Sequence, residues 1–197
     1  MRHSITLAGA AFALRPVVED DAEFIVKLRT DPILSRFMND TSADPAAQRA
    51  WIGRYFERPG DYFFIVENRF TGAPEGTISI FNLDAEQNTA EWGRWILRSG
   101  SLAAAESVSL TYRIGFTEMD LASLHCHTIV DNHHVMNFHK SYGMDIVAEL
   151  PRHFTIGGRC YDAVRQRITA QDWPAAEARL APTVAQAARL LARTIRH

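Results

Sequence analysis

The chain has 197 residues, 47% hydrophobic and 22% charged, the balance of one soluble globular domain with a real core. Lys plus Arg number 21 and Asp plus Glu 23, a net charge of −2, so no global basic field favours nucleic acid or a membrane surface. No run approaches the roughly 18 apolar residues of a membrane span.

In chain order, Met1 to Ala13 is apolar but carries Arg2 and His3 and runs straight into a strand-like segment, which argues against a signal peptide. Phe12 to Pro16 reads as a short strand. Glu19-Asp20-Asp21 suits a helix start, and Ala22, Ile25, Val26 and Leu28 give that helix an inward face until Asp31-Pro32. A second helix is expected after Asp44-Pro45, through Trp51, Ile52 and Tyr55, stopped by Pro59-Gly60. Tyr62–Glu67, Gly76–Phe81 and Glu91–Leu97 read as three strands joined by short turns, hence an antiparallel meander. Trp92 and Trp95 are expected on opposite faces of the third strand, and Arg94 toward an acceptor or a cofactor. Met38, Trp51 and Tyr62 suit core packing, or the lining of an acceptor pocket.

Ser101 to Met119 reads as a long helix, Leu124 to Val130 as a strand, Asn132 to Tyr142 as a helix capped by Gly143, and Asp145–Phe154 with Arg159–Ile168 as a hairpin around Gly157-Gly158. Together these predict an α/β (α+β) fold with a mixed, mainly antiparallel central sheet flanked by helices. After Pro174 an Ala-rich amphipathic helix places Leu180, Val184, Ala188, Leu191 and Ile195 on one side, with Arg179, Arg189, Arg193 and Arg196 on the other. Three uses are open to it: packing on its own domain, dimerisation as a homodimer, or contact with an acidic partner. Cys126 and Cys160 are expected as free thiols of a cytoplasmic protein. His125, Cys126, His127, His133 and His134 lack a second ligand pair at metal spacing, so no metal is expected.

The stretch from Glu91 to Met144 carries the chemistry. A strand ends at Ile96-Leu97, a loop of small residues follows as Arg98-Ser99-Gly100-Ser101-Leu102-Ala103-Ala104, and a helix starts at once. Unpaired amides and the positive dipole end make such a turn a natural phosphate site. Beyond it, Asp131-Asn132-His133-His134-Val135-Met136-Asn137-Phe138-His139-Lys140-Ser141-Tyr142-Gly143-Met144 resembles the signature of the GNAT N-acetyltransferases. Leu14-Arg15-Pro16, Asp20-Asp21-Ala22 and Leu28-Arg29-Thr30-Asp31-Pro32 look like the branch that holds ribosomal-protein and amino-sugar acetyltransferases, and Trp173 closes the similarity. The loop departs from the family pattern by replacing its central glycine, and His139 stands where the family has Tyr.

The resemblance implies a GNAT-like domain over residues 1–173 with a helical extension over 174–197, acetyl-CoA as co-substrate, no metal, and a small-molecule primary amine as acceptor. It further implies cofactor contacts from Ile96 and Leu97, the loop Arg98 to Ala104, and Asn132, with the pantetheine arm beside the splayed strand. Acetylation of an amine by a thioester needs a base, a hydrogen-bond donor for the developing oxyanion and an acid. Glu91 is the expected base and His139, as an imidazolium, the expected acid. The first-choice acceptor is a nucleotide-linked amino sugar. The alternatives are a ribosomal-protein N-terminus, an antibiotic amine, and a non-catalytic CoA-binding module.

Overall fold

The computed structural model describes residues 2–194. Ile195 and Arg196 of the expected C-terminal helix lie outside them. Among the described residues eight strands form one sheet in the order β1-β2-β3-β4-β5-β6-β8-β7: β1 (Leu7–Ala8), β2 (Phe12–Pro16), β3 (Tyr62–Asn68), β4 (Pro74–Asp84), β5 (Thr89–Leu97), β6 (Ser123–Ile129), β7 (Asp145–Ile156) and β8 (Arg159–Thr169). The β5–β6 pair is parallel and the other neighbours antiparallel. The expected mixed sheet flanked by helices is thus the observed architecture.

Helices α1 (Ala22–Arg29) and α2 (Pro45–Tyr55) cover one face. Their apolar residues join Val17, Phe63 and Ile65 in a small core. Asp44 caps α2 by accepting from the Ala46 amide at 2.9 Å, with Pro45 at the first helical position. Helices α3 (Ala104–Arg113, continued by a π turn over Ile114–Glu118), α4 (His133–Ser141) and α5 (Trp173–Thr194) lie on the other face. Phe12, Leu14, Ile78, Trp92, Tyr112, Leu124 and Trp173 are buried there in the larger core. The α5 helix packs on its own domain: Leu180 and Ala187 are buried, and Trp173 meets the Tyr112 ring edge-on at 5.6 Å. Arg179, Arg189 and Arg193 stay exposed.

Two carboxylate clasps fix the first strands. Asp21 grips the Arg15 guanidinium with both oxygens at 2.8 Å while Glu67 takes Arg15 Nε at 2.6 Å, which gives the Arg15–Asp21 pattern a structural purpose. Glu106, 2% exposed in the first turn of α3, accepts from the amides of Ala10 and Ala11 and so holds the β1–β2 turn. Gly9 has no Cβ because that carboxylate occupies the space.

Candidate active site

Pairing between β5 and β6 ends almost where it begins. Only Thr89, Ala90 and Glu91 pair, with Ser123, Leu124 and His125. Beyond Glu91 the strands part, while β5 stays paired with β4 through Ile96↔Thr77 and Leu97↔Gly76. A wedge-shaped gap therefore opens along Trp92–Leu97. Gly76 is required beside it, since a Cβ there would overlap the Ile96 carbonyl and Leu97.

At the head of the gap the chain turns through Arg98–Ala103 into α3. The Ala103 position carries no side-chain cap, so the first amides of α3 remain open. Within the turn only Gly100 takes positive φ, +76°, so the residues that replace the expected central glycine adopt ordinary conformations. Arg98 anchors the turn: its Nη2 donates to the buried Glu75 carboxylate at 2.8 Å and its amide to the Glu75 carbonyl. Ser101 Oγ accepts from the Ala103 amide at 3.2 Å. Ser99 and Leu102 are exposed and Ala103 buried. Asn132 caps α4, its side chain accepting from the Val135 amide.

On the α3–α5 side, His139 closes the gap. It is 3% exposed, packed edge-on against Trp92 at 5.1 Å and tilted over Trp95 at 6.0 Å. Gln166 Nε2 donates to the Met136 carbonyl, which turns Gln166 Oε1 toward His139 Nδ1 at 3.1 Å. The proton therefore sits on Nδ1, and Nε2 is buried without a partner. Burial lowers the His139 pKa to about 4, against a smaller raising effect of the Gln166 bond. This corrects the expected imidazolium: at neutral pH the ring is uncharged. A second correction concerns Trp92 and Trp95, which share this face with ring centroids 6.0 Å apart. Arg94, at φ +49°, makes a bulge that inserts one residue between them and resets the alternation.

The bulge throws Arg94 to the α1–α2 face, where its guanidinium lies 4.4 Å from the Phe81 ring and pairs with Asp61 at 2.6 and 2.9 Å. Glu91 is on this same face, so the sequence-derived acid and base stand on opposite sides of β5. Glu91 accepts from His127 Nδ1 at 3.1 Å and from Asn82 Nδ2 at 2.9 Å. Arg165 Nε donates to His127 Nε2 at 3.0 Å, which requires the His127 proton to be on Nδ1 and directs it at Glu91. Burial alone would raise the Glu91 pKa, but the His127 and Asn82 bonds outweigh it and hold the carboxyl below its usual range. His127, Arg165 and Asn82 were not singled out as catalytic from the sequence. Their one visible trace was that His125 and His127 share a strand face.

Beside Arg94, between α1, α2 and the 30–44 connection, is a cleft of about 490 Å³ lined by Arg29, Trp51, Arg54, Phe63, Thr77 and Arg94 among others. Trp51 is thus a wall of this cleft, while Tyr62 packs beside the main core and His3. Among the described residues no group of three or more His, Cys, Asp or Glu is placed to hold a metal ion, and no helix is long and apolar enough to cross a membrane. Cys126 is buried and Cys160 exposed, both unpaired.

Residues 12–145 match the family described as the acetyltransferase (GNAT) domain. No curated protein matches the chain. Among solved structures the chain is similar to apo FdhC, described as a nucleotide-linked sugar GNAT, at 24% identity over 92% of this chain and 99% of that one, with a TM-score of 0.78. It is also similar to a variant of the spermidine N-acetyltransferase SpeG from Vibrio cholerae, at 19% identity over 84% of this chain and 97% of that one, TM-score 0.71. At these identities the structural likeness speaks for the fold.

Proposed function

The chain belongs to the GNAT acetyltransferase family, and from that premise we propose that it transfers an acetyl group from acetyl-CoA to a small primary amine in the cytoplasm, with a nucleotide-linked amino sugar as the favoured acceptor. One observation carries the reading: β5 and β6 part after three paired residues, and the gap that opens along Trp92–Leu97 leads through the Arg98–Ala103 turn to the open amides at the start of α3. An extended thiol arm can lie along an unpaired strand edge, and an anion suits a helix N-terminus. The choice of acceptor rests on the sequence resemblance to amino-sugar relatives.

Acetyl-CoA supplies the activated thioester. The residues fit it as follows. Ser99 to Ala104 form the phosphate turn, with Arg98 as its anchor. Ile96 and Leu97 line the gap, and Asn132 orders the α4 end that faces it. Glu91, ionised at neutral pH, takes the proton from the attacking amine, and His127 and Asn82 fix its two oxygens. His139 closes the cofactor side as a neutral, packed ring rather than as a charged acid.

The test is direct. Acetyl-CoA at a hundred times its Kd stabilises the native state by about 2.7 kcal/mol, which raises Tm by about 5–10 °C in a chain of this size. Thiol release is expected with amino-sugar nucleotides. An unchanged Tm at millimolar acetyl-CoA, with no heat in calorimetry, overturns the reading.

A further inference from the structure

We infer that the cleft between α1 and α2 is a phosphoryl-binding subsite, in which Arg29 and Arg54 hold a phosphate or pyrophosphate group of the acceptor. The inference rests on the reading that this cleft, on the Glu91 face of β5, takes the acceptor.

The argument is one of uncompensated charge in a cavity of substrate size. Arg29, Arg54 and Arg94 line the cleft, with Asp40 as the carboxylate among the lining residues. Arg94 is already neutralised by the bidentate Asp61 pair, whose carboxylate is 8% exposed. Arg29 and Arg54 have no carboxylate partner among the described residues. Both stand in the last turn of their helices, where a cation suits the dipole. That role needs only a solvated side chain. Arg29 is instead drawn into the cleft wall: its Nη2 donates to the Asn39 carbonyl at 2.7 Å, and its Nε is buried with no acceptor. Burial first, and the nearby Arg94 charge second, lower its pKa, which marks a guanidinium held in place without a counterion. An anionic ligand offsets that cost, and guanidinium forks match phosphate oxygens. Trp51 adds a ring wall, and Gln48 supplies neutral hydrogen-bonding capacity.

The same charge arrangement separates two acceptor classes. A polyamine brings several positive charges into a cleft that already holds two unpaired guanidinium groups. A phosphorylated amine brings the complement.

Two measurements test this. The first is calorimetry of inorganic pyrophosphate against protein saturated with CoA, so that the cofactor site is filled. Binding is expected, weakened at least tenfold in Arg54→Gln and Arg29→Gln, with the acetyl-CoA Kd unchanged. Arg54 is exposed, so its variant tests the site without risk to folding. The second compares glucosamine 1-phosphate, glucosamine and spermidine as acceptors. The phosphorylated amine is expected to have the lowest KM, and the two variants to raise that KM tenfold or more while leaving glucosamine unaffected. No pyrophosphate heat, equal KM values for the first two amines, or preference for spermidine overturns the subsite. Acetyl-CoA binding with turnover of a neutral amine alone would leave the acetyltransferase proposal standing while the subsite falls. Pyrophosphate binding without acetyl-CoA binding would do the reverse.

Discussion

His139 converts its burial into a pH dependence of folding. Its pKa is about 4 in the native state against 6.5 when unfolded. Between those values the unfolded chain binds a proton that the native state does not, so stability falls as pH falls through that window. From pH 7.5 to pH 5 the loss is about 2 kcal/mol. Urea unfolding at the two pH values measures it, and His139→Gln should remove that share of the slope; an equal slope in the variant would locate the titration elsewhere. The alkaline limb of the rate profile should survive His139→Gln, because the ring has already lost its proton well below neutrality. Glu91 is shifted in the same direction for a different cause. Its pKa is held down by donors, so His127→Asn removes one and lets it rise. The acidic limb of kcat/KM should then move to higher pH, with the KM for acetyl-CoA unchanged. A limb that stays put would show that Glu91 is not the group being titrated.

Single elements owe their places to a few polar ties. The Glu106 carboxylate is the clearest, since it reaches from α3 to the buried amide of Ala11 and that of Ala10. Glu106→Ala strips those donors and should cost about 1–3 kcal/mol for each group left buried and unpaired. Glu106→Gln retains an acceptor oxygen and should cost less. Urea midpoints of the two variants decide the matter, and equal midpoints would mean that the tie adds nothing. Most elements were legible from hydrophobic period and punctuation. Asp44-Pro45 marked the start of α2, and Gly143 the end of α4. The β5 bulge was not legible. A non-glycine residue at positive φ costs roughly 1–3 kcal/mol, and Arg94 adopts it because Asp61 and the Thr77 hydroxyl, which donates to the Arg94 carbonyl at 2.7 Å, hold it there. Both partners are distant in sequence, so Trp92 and Trp95 were expected on opposite faces. The charge on His139 was misjudged for a related reason. The spacing located the residue, but Trp92, Trp95 and Gln166, which dry and orient it, come from β5 and β8, away from α4 in the chain.

At the scale of the whole molecule, the gap coincides with a division of the chain. Every strand of β1 to β5 precedes the Arg98–Ala103 turn, and every strand of β6 to β8 follows it. The first five form a run in which each strand pairs with its neighbour in sequence, the arrangement with the least loop-closure cost. Three residues of β5 facing three of β6 are the backbone pairing that joins the two sets of strands. The Ala122 amide adds one bond to the Asn88 carbonyl at 2.8 Å, and the rest of the join is side chains and helix, with α3 laid across the earlier strands and His139 set against Trp92. The molecule is therefore two consecutive pieces of polypeptide with a seam between them, and the seam is where the proposed cofactor gap lies. A chain severed in the Arg98–Ala103 turn would yield fragments that each carry a complete set of paired strands, and bringing them together would re-create the gap between β5 and β6.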